Sequence, residues 1–158
     1  MAERTDRNPT LALGELRGLP TAFAWANHKC NHSCTFTIEE LPVGSDVHES
    51  LAHYFRETAI KVSVSQLADW HTAVEEALQR WLFQLHDLVN PQAACALTDE
   101  RCQREMVGTV LEAFVVALQP LEVWRVEIEP RGFYECAWDD FAVRGAPGFF
   151  LLHMGVSD

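Results

Sequence analysis

Two long stretches of the chain place apolar residues three or four positions apart, which is the period of an amphipathic helix. The first stretch begins with Ser63 or Ser65 as the N-cap and ends at about Val89, because the proline that follows cannot continue a helix. The second stretch begins at Thr98 and ends before Pro120. The pattern therefore predicts two helices in the middle of the chain.

A shorter helix precedes them. Asp46 followed by Glu49 three positions later is typical of a capping box, and the apolar residues after it predict a helix that runs to about Ala59. Together with the two longer helices it makes residues 46–119 a largely helical segment. Directly after the short helix, Ile60, Val62 and Val64 alternate with polar residues, which predicts a short strand or an extended linker.

Alternation of apolar and polar residues near the N-terminus predicts a hairpin over residues 21–40. Its strands are expected at Thr21–Ala26 and at Cys34–Glu40, where Phe36 and Ile38 alternate with Thr and Glu. Residues 9–20 stay unassigned because two glycines and Pro20 interrupt their few leucines. The first ten residues are polar and are expected to fray.

The C-terminal residues 121–156 predict an antiparallel meander of three strands. Pro130-Arg131-Gly132 favours a three-residue loop between the first two strands, and residues 144–148 form the second turn. The third strand is apolar at nearly every position, so we expect it at the centre of the sheet. The loop fixes a register, with a bulge at residues 139–140, that pairs Ile128 with Tyr134, Val126 with Cys136, Trp124 with Trp138, Glu127 with Glu135 and Val123 with Asp139.

These elements indicate one α+β domain over residues 1–158. The meander provides an antiparallel sheet, the N-terminal hairpin extends it, and the three helices pack on one face. A chain of 158 residues is long enough to bury a core without disulfide bonds or metal.

The balance of charges narrows the class of partner. The formal net charge is −11, and lysine occurs only at positions 29 and 61. Binding to nucleic acid or to an anionic membrane depends on clustered Lys and Arg, so neither is expected as a partner, whereas a basic protein is. The first ten residues contain no apolar segment, and no run reaches the about 18 apolar residues of a membrane span. Five cysteines without framework spacing favour the reducing cytoplasm.

The predicted register gathers acidic residues on the face of the meander opposite the aromatic residues. Such a face, with an aromatic anchor, is typical of a surface that docks a basic partner. We therefore predict a small cytosolic binding protein, for example an inhibitor, an immunity-type protein or an accessory protein. Its predicted partner-binding residues are Glu127, Glu129, Phe133, Glu135, Asp139 and Asp140.

A small metal-assisted enzyme is the alternative from another class. Its candidate catalytic residues are Glu135, Asp139, Asp140 and His153, because crowded carboxylates shift one another's pKa and bind hard cations. No nucleophile elbow, phosphate-binding loop or dinucleotide fingerprint occurs in the sequence.

A second alternative is a structural module stabilised by zinc. His28, Cys30, His32 and Cys34 supply four zinc-type ligands within seven positions. An extended strand would keep them too far apart for one ion, so only a tight loop could bring them together, and a second pair could come from Cys95 and Cys102. Apart from this zinc site the sequence predicts no cofactor.

Overall fold

An antiparallel sheet of five strands forms the centre of the fold. The computed structural model describes residues 7–26, 34–84 and 99–157. The strands lie side by side in the order β1-β5-β4-β3-β2, so the predicted α+β class is confirmed. In chain order the elements are α1 (Pro9–Ala26), β1 (Cys34–Glu40), α2 (Val47–Tyr54), β2 (Ala59–Gln66), α3 (Trp70–Gln79), a π-helical turn (Arg80–Gln84), α4 (Glu100–Leu118), β3 (Pro120–Pro130), β4 (Ala137–Gly145) and β5 (Gly148–Val156).

Different helices cover the two faces of the sheet. Helices α1, α3 and α4 pack on the face that presents Phe141 and Leu152, which we call the three-helix face. Helix α2 packs on the opposite face against Ala142 and Leu151, which we call the α2 face. The prediction that all helices share one face is therefore wrong. The chain leaves β1 at one edge and enters β2 at the other, and α2 covers the second face because it lies on this crossing.

The predicted N-terminal hairpin does not form. Residues 9–20, which the sequence left unassigned, and residues 21–26, predicted as a strand, together make the single helix α1. Its buried residues Ala12, Leu16, Pro20 and Ala24 recur every four positions, which is the helical period. Strand β1 forms as predicted, but its partner is β5.

The predicted cap at the start of α2 is confirmed for Asp46, and Glu49 reaches back to the residue before the cap instead of to the cap itself. The Asp46 carboxylate accepts a hydrogen bond from the Glu49 backbone N–H at 2.9 Å. The Glu49 carboxylate in turn accepts one from the Ser45 backbone N–H at 2.7 Å. The first bond satisfies a donor that the helix end would otherwise leave unpaired, whereas the second is made by the residue before the cap.

The long helix begins later than predicted. Ser63 and Ser65 pair with β3 as part of β2, and Asp69 caps α3 by accepting from the Thr72 N–H at 3.2 Å. The predicted end of this helix near Val89 lies outside the described residues. Helix α4 forms as predicted, with Asp99 as its N-cap and the left-handed Gln119 (φ 47°) after its last residue. Thr98, the predicted cap, also lies outside the described residues.

The C-terminal meander forms, and β5 lies at the centre of the sheet between β1 and β4, as predicted. The register of its first hairpin differs from the prediction by four residues: Trp124 lies opposite Ala142, and Val123 lies opposite Val143. The connection between β3 and β4 spans residues 131–136 instead of a tight turn, and the end of β3 pairs with β2. Because the shift is even, Trp124 and Trp138 still share a face, and both pack on the α2 face.

No bulge separates residues 139 and 140, because both keep one continuous register with β5. They therefore point to opposite faces of the sheet, as successive strand residues do. Asp139 and Asp140, which were predicted to belong to one docking surface, therefore lie on different faces of the sheet.

Candidate functional site

Asp139 lies buried on the three-helix face, between basic side chains. Its carboxylate forms ion pairs with Arg80 and with Arg125, the latter at 2.7 Å, and it accepts a hydrogen bond from the Trp81 indole N–H at 2.6 Å. The Arg125 guanidinium also lies 5.0 Å from the centre of the Phe141 ring. Asp139 thus ties the π-helical turn to β3 and β4, and it is not available on a docking surface.

Asp140 lies on the α2 face and pairs with His153. Its carboxylate Oδ1 is 2.7 Å from the imidazole Nδ1, and its Oδ2 is 3.4 Å from the Tyr134 hydroxyl. On the far side of the ring, Nε2 of His153 lies 3.7 Å from the Glu135 carboxylate. We call Tyr134, Glu135, Asp140 and His153 the histidine cluster.

Three members of the histidine cluster, Tyr134, Asp140 and His153, have a raised pKa. Burial alone would lower the pKa of His153, but the bonds and charges of Asp140 and Glu135 outweigh burial and raise it. Burial raises the pKa of Asp140, and its bonds to His153 and Tyr134 offset this only in part. Burial and the Asp140 charge raise the pKa of Tyr134, so its hydroxyl stays a donor.

The cluster is closed to a substrate. The side chains of Asp140, His153 and Glu135 keep 0%, 10% and 11% of their accessible surface. Both imidazole nitrogens already face carboxylates, and a methyl group on Gly155 would lie 2.7 Å from Nε2. Three of the four candidate catalytic residues therefore meet, but they form a packed ionic cluster, while Asp139 lies on the other face.

The remaining predicted partner-binding residues lie on the surface. Glu127 and Glu129 are exposed near the end of β3, opposite Ser63 and Lys61 of β2. Phe133 is 75% exposed in the connection between β3 and β4. The predicted acidic face is thus divided into two exposed glutamates and a set of buried or half-buried acids.

Most of the predicted zinc site lies outside the described residues. This applies to His28, Cys30, His32 and Cys95. Cys34 begins β1, and Cys102 is exposed on α4. Within residues 7–26, 34–84 and 99–157, no group of three or more His, Cys, Asp or Glu side chains is arranged to hold a metal ion.

A groove that was not predicted from the sequence lies beside β2. Helix α2 and β2 enclose about 370 Å³ on the α2 face, which we call the β2 groove. Its floor is formed by Leu51, Phe55, Val62 and Val64, and Arg56 and Arg131 line it as well. The alternation of Ile60, Val62 and Val64 was its only trace in the sequence, because α2 had to be placed over β2 before a groove could be recognised.

The outer edge of β2 presents unpaired backbone groups among the described residues. The Leu67 N–H donates to the Val123 carbonyl at 2.9 Å, and residues that bond in this way alternate along an antiparallel pair. By that alternation Ser63 and Ser65 bond to β3, while the N–H and C=O groups of Val62 and Val64 point away from the sheet.

The opposite edge of the sheet is covered. Strand β1 lies against α1, and the Arg17 side chain donates to the outward carbonyl of Ile38 at 3.2 Å. Open edges invite pairing with another chain, so proteins usually cover or shorten them. Of the two edges, only that of β2 is left open by the part of the chain that the structure describes.

The chain matches no protein-family model, no curated protein and no solved structure. None of the helices in the described parts of the chain is long and apolar enough to cross a membrane.

Proposed function

We propose that the protein is a cytosolic binding protein that captures an extended segment of a basic partner protein by adding it as a sixth strand beside β2. The observation that carries the proposal is the combination of an open strand edge with an apolar groove directly next to it. Strand addition uses backbone hydrogen bonds for affinity and alternate side-chain pockets for specificity. Both parts are present at β2.

The two faces of the added strand would meet different surroundings. On the α2 face its side chains would pack on Val62 and Val64, which are half-buried and could be covered further. On the three-helix face they would lie beside Lys61, Ser63 and Ser65 of β2, and the exposed Glu127 and Glu129 lie one strand further in, on β3. These two carboxylates favour a partner with basic residues, in agreement with the net charge of −11.

The geometry supports a metal-assisted enzyme less well than it supports strand addition at β2. Of its candidate residues, Asp139 is neutralised by two arginines, and His153 is enclosed between carboxylates with little exposed surface. A catalytic acid or base must reach the proton that it transfers. The β2 groove offers access that the histidine cluster does not.

A photo-crosslinking residue at position 65 tests the proposal. Ser65 is exposed and lies on the edge strand, so its substitution should trap whatever adds to β2. Capture is repeated with Val64→Pro, which removes one outward N–H and keeps the bonds to β3. Val64→Thr is the matched control, because it keeps the N–H and the β-branched shape.

We expect the same partner to be trapped by the parent protein and by Val64→Thr and to be lost with Val64→Pro, while the thermal unfolding of all three stays similar. A crosslinker at Glu76 on α3 should not trap it. The proposal is wrong if Val64→Pro captures the partner as well as Val64→Thr does, or if the Glu76 position traps it equally.

A further inference from the structure

We propose that the β2 groove binds the C-terminal end of the partner chain, in antiparallel orientation, with the terminal carboxylate held by Arg56 and Arg131. This inference rests on the proposed strand addition and adds the direction and the chemistry of the ligand. It follows from the charges that line the groove and from where along β2 they lie.

The groove is lined by two basic side chains, Arg56 and Arg131, and by the imidazole of His48, and no carboxylate lines it. The nearest acidic competitor is Glu57, 3.6 Å from the Arg56 guanidinium, but the two side chains are 65% and 81% exposed. Such an exposed pair contributes little to stability, so Arg56 can exchange Glu57 for a ligand carboxylate. A groove of this charge in an acidic protein favours an anionic group.

The two arginines lie at the beginning of β2. Arg56 precedes β2 in the chain, and the Arg131 backbone N–H donates to the Thr58 carbonyl at 2.9 Å, which places Arg131 beside the residue that precedes Ala59. A strand that adds antiparallel to β2 runs from Gln66 towards Ala59. Its carboxyl end therefore arrives at the arginines.

The opposite direction is unfavourable. A strand added parallel to β2 would bring its amino end, and at a chain terminus its ammonium group, to the same arginines, where like charges repel. An internal segment would gain nothing from the guanidinium groups unless it carried an acidic residue at one position. A terminal carboxylate can accept paired hydrogen bonds from a guanidinium group, which is the arrangement that arginine favours.

The length of the edge limits the size of the ligand. The 8 residues of β2 span about 26 Å at 3.3 Å per residue, so the site accommodates roughly the last six to eight residues of a chain. Every second side chain of that segment would face the groove, where Val62, Val64 and Leu51 favour an apolar group. The ligand is thus an extended tail with apolar residues at alternate positions and a free carboxyl end.

A peptide library displayed with free C-termini tests the inference. We expect selection on the full chain to enrich tails with alternate apolar residues. Amidation of the C-terminus of a selected peptide should weaken its binding about two- to tenfold, because Arg56 and Arg131 are exposed and water screens their attraction for the carboxylate. Arg56→Gln combined with Arg131→Gln should remove most of the difference between the acid and the amide.

Arg104→Gln is the matched control, since Arg104 forms a similarly exposed pair with Glu100 on α4. It should leave the preference for the free acid unchanged. Val64→Pro should weaken the acid and the amide equally, because it acts on the backbone of the edge.

The possible outcomes separate the two proposals. If peptides bind and depend on Val64 but the amide binds as tightly as the acid, the carboxylate inference is wrong and strand addition stands. If no tail is selected, the C-terminal inference is wrong, and the crosslinking at position 65 decides strand addition separately. If peptides bind equally well to the Val64→Pro variant, both proposals are wrong. If the chain instead self-associates and Val64→Pro abolishes this, a second copy occupies the edge, and the C-terminal inference is also wrong.

Discussion

Asp140 and His153 lie directly opposite each other on β4 and β5, and a 2.7 Å contact joins the carboxylate to the imidazole Nδ1. These two strands are neighbours at the centre of the sheet, so the pair fixes their register where a slip would turn every apolar side chain to the wrong face. Glu135 closes the other side of the ring at 3.7 Å. The pair thus has a structural role that can be measured.

Asp140→Asn should destabilise the protein. The asparagine keeps the shape of the side chain but leaves His153 with only one carboxylate partner in a buried site. Removing one partner of a buried ion pair costs about 3 kcal/mol, and we expect a decrease of that size in the free energy of unfolding, measured with urea. Glu127→Gln is the control, because Glu127 is exposed and lies opposite Ser63. Equal effects of the two substitutions would contradict a structural role for Asp140.

The contribution of His153 should depend on pH with a defined sign. The pKa of His153 is raised in the fold, so the folded state holds the proton more tightly than the unfolded chain, whose value is near 6.5. The resulting stability is complete below pH 6.5 and is lost as the pH rises through the higher folded value. The difference in unfolding free energy between the parent and His153→Gln should therefore shrink as the pH rises above that point. A difference that grows with pH would show that the shift has the opposite direction.

Alanine substitutions at two glycines should have opposite effects. A methyl group at Gly155 would lie 2.7 Å from Nε2 and 2.9 Å from Cε1 of His153, whose ring is held by two carboxylates and cannot easily move. We expect Gly155→Ala to cost about 1–3 kcal/mol of unfolding free energy, as overpacking does. Gly18 in α1 has nothing within 4 Å of the added carbon, so Gly18→Ala should stabilise the helix by about 0.5–1 kcal/mol. Thermal unfolding of both variants checks the two signs.

The elements that the sequence predicted correctly are those whose burial depends on one strong local pattern. The spacing of Val74, Ala77, Leu78 and Trp81 was enough to identify α3, because all four side chains are buried on one stripe. Asp46 and Glu49 identified the start of α2 through bonds within five residues. Such interactions can be recognised without knowing the rest of the fold.

The errors arose where burial depends on distant partners. Phe23 and Trp25 alternate as in a strand, but α1 buries Ala24 and leaves Trp25 79% exposed. The register of the first hairpin was predicted from its loop alone, although β2 competes for the end of β3. The largest error concerned Asp139 and Asp140, which were predicted on an exposed docking face and are buried. Asp139 and Asp140 could be told apart from surface acids only after Arg80 and His153 had been placed around them.

Asp139→Asn should therefore destabilise the protein, although the sequence alone placed this residue on a docking surface. The substitution leaves Arg80 and Arg125 facing a neutral amide and weakens the bond from the Trp81 indole. Because Arg80 is 44% and Arg125 is 36% exposed, water screens them, and we expect a loss of about 1–2 kcal/mol, less than for Asp140→Asn. Urea unfolding with tryptophan fluorescence measures the loss. A loss larger than that of Asp140→Asn would mean that the exposed arginines are not screened.

Glu127→Lys should weaken capture of the basic partner without weakening the fold. Glu127 is exposed, and its direct neighbour across the strand is the uncharged Ser63. Lys61 and Arg125 lie two positions away on the same face, but water screens an exposed lysine from them, so stability should change by less than about 0.5 kcal/mol. Exposed charges act mainly on the rate of association, and salt screens them. We therefore expect a slower association rate at low ionic strength, a smaller effect at high ionic strength and a nearly unchanged dissociation rate. Glu76→Lys makes the same change of net charge on α3, away from β2, and should slow association much less. Equal slowing by both variants would mean that the total charge of the protein attracts the partner, and that the glutamates beside β2 do not direct it to the edge.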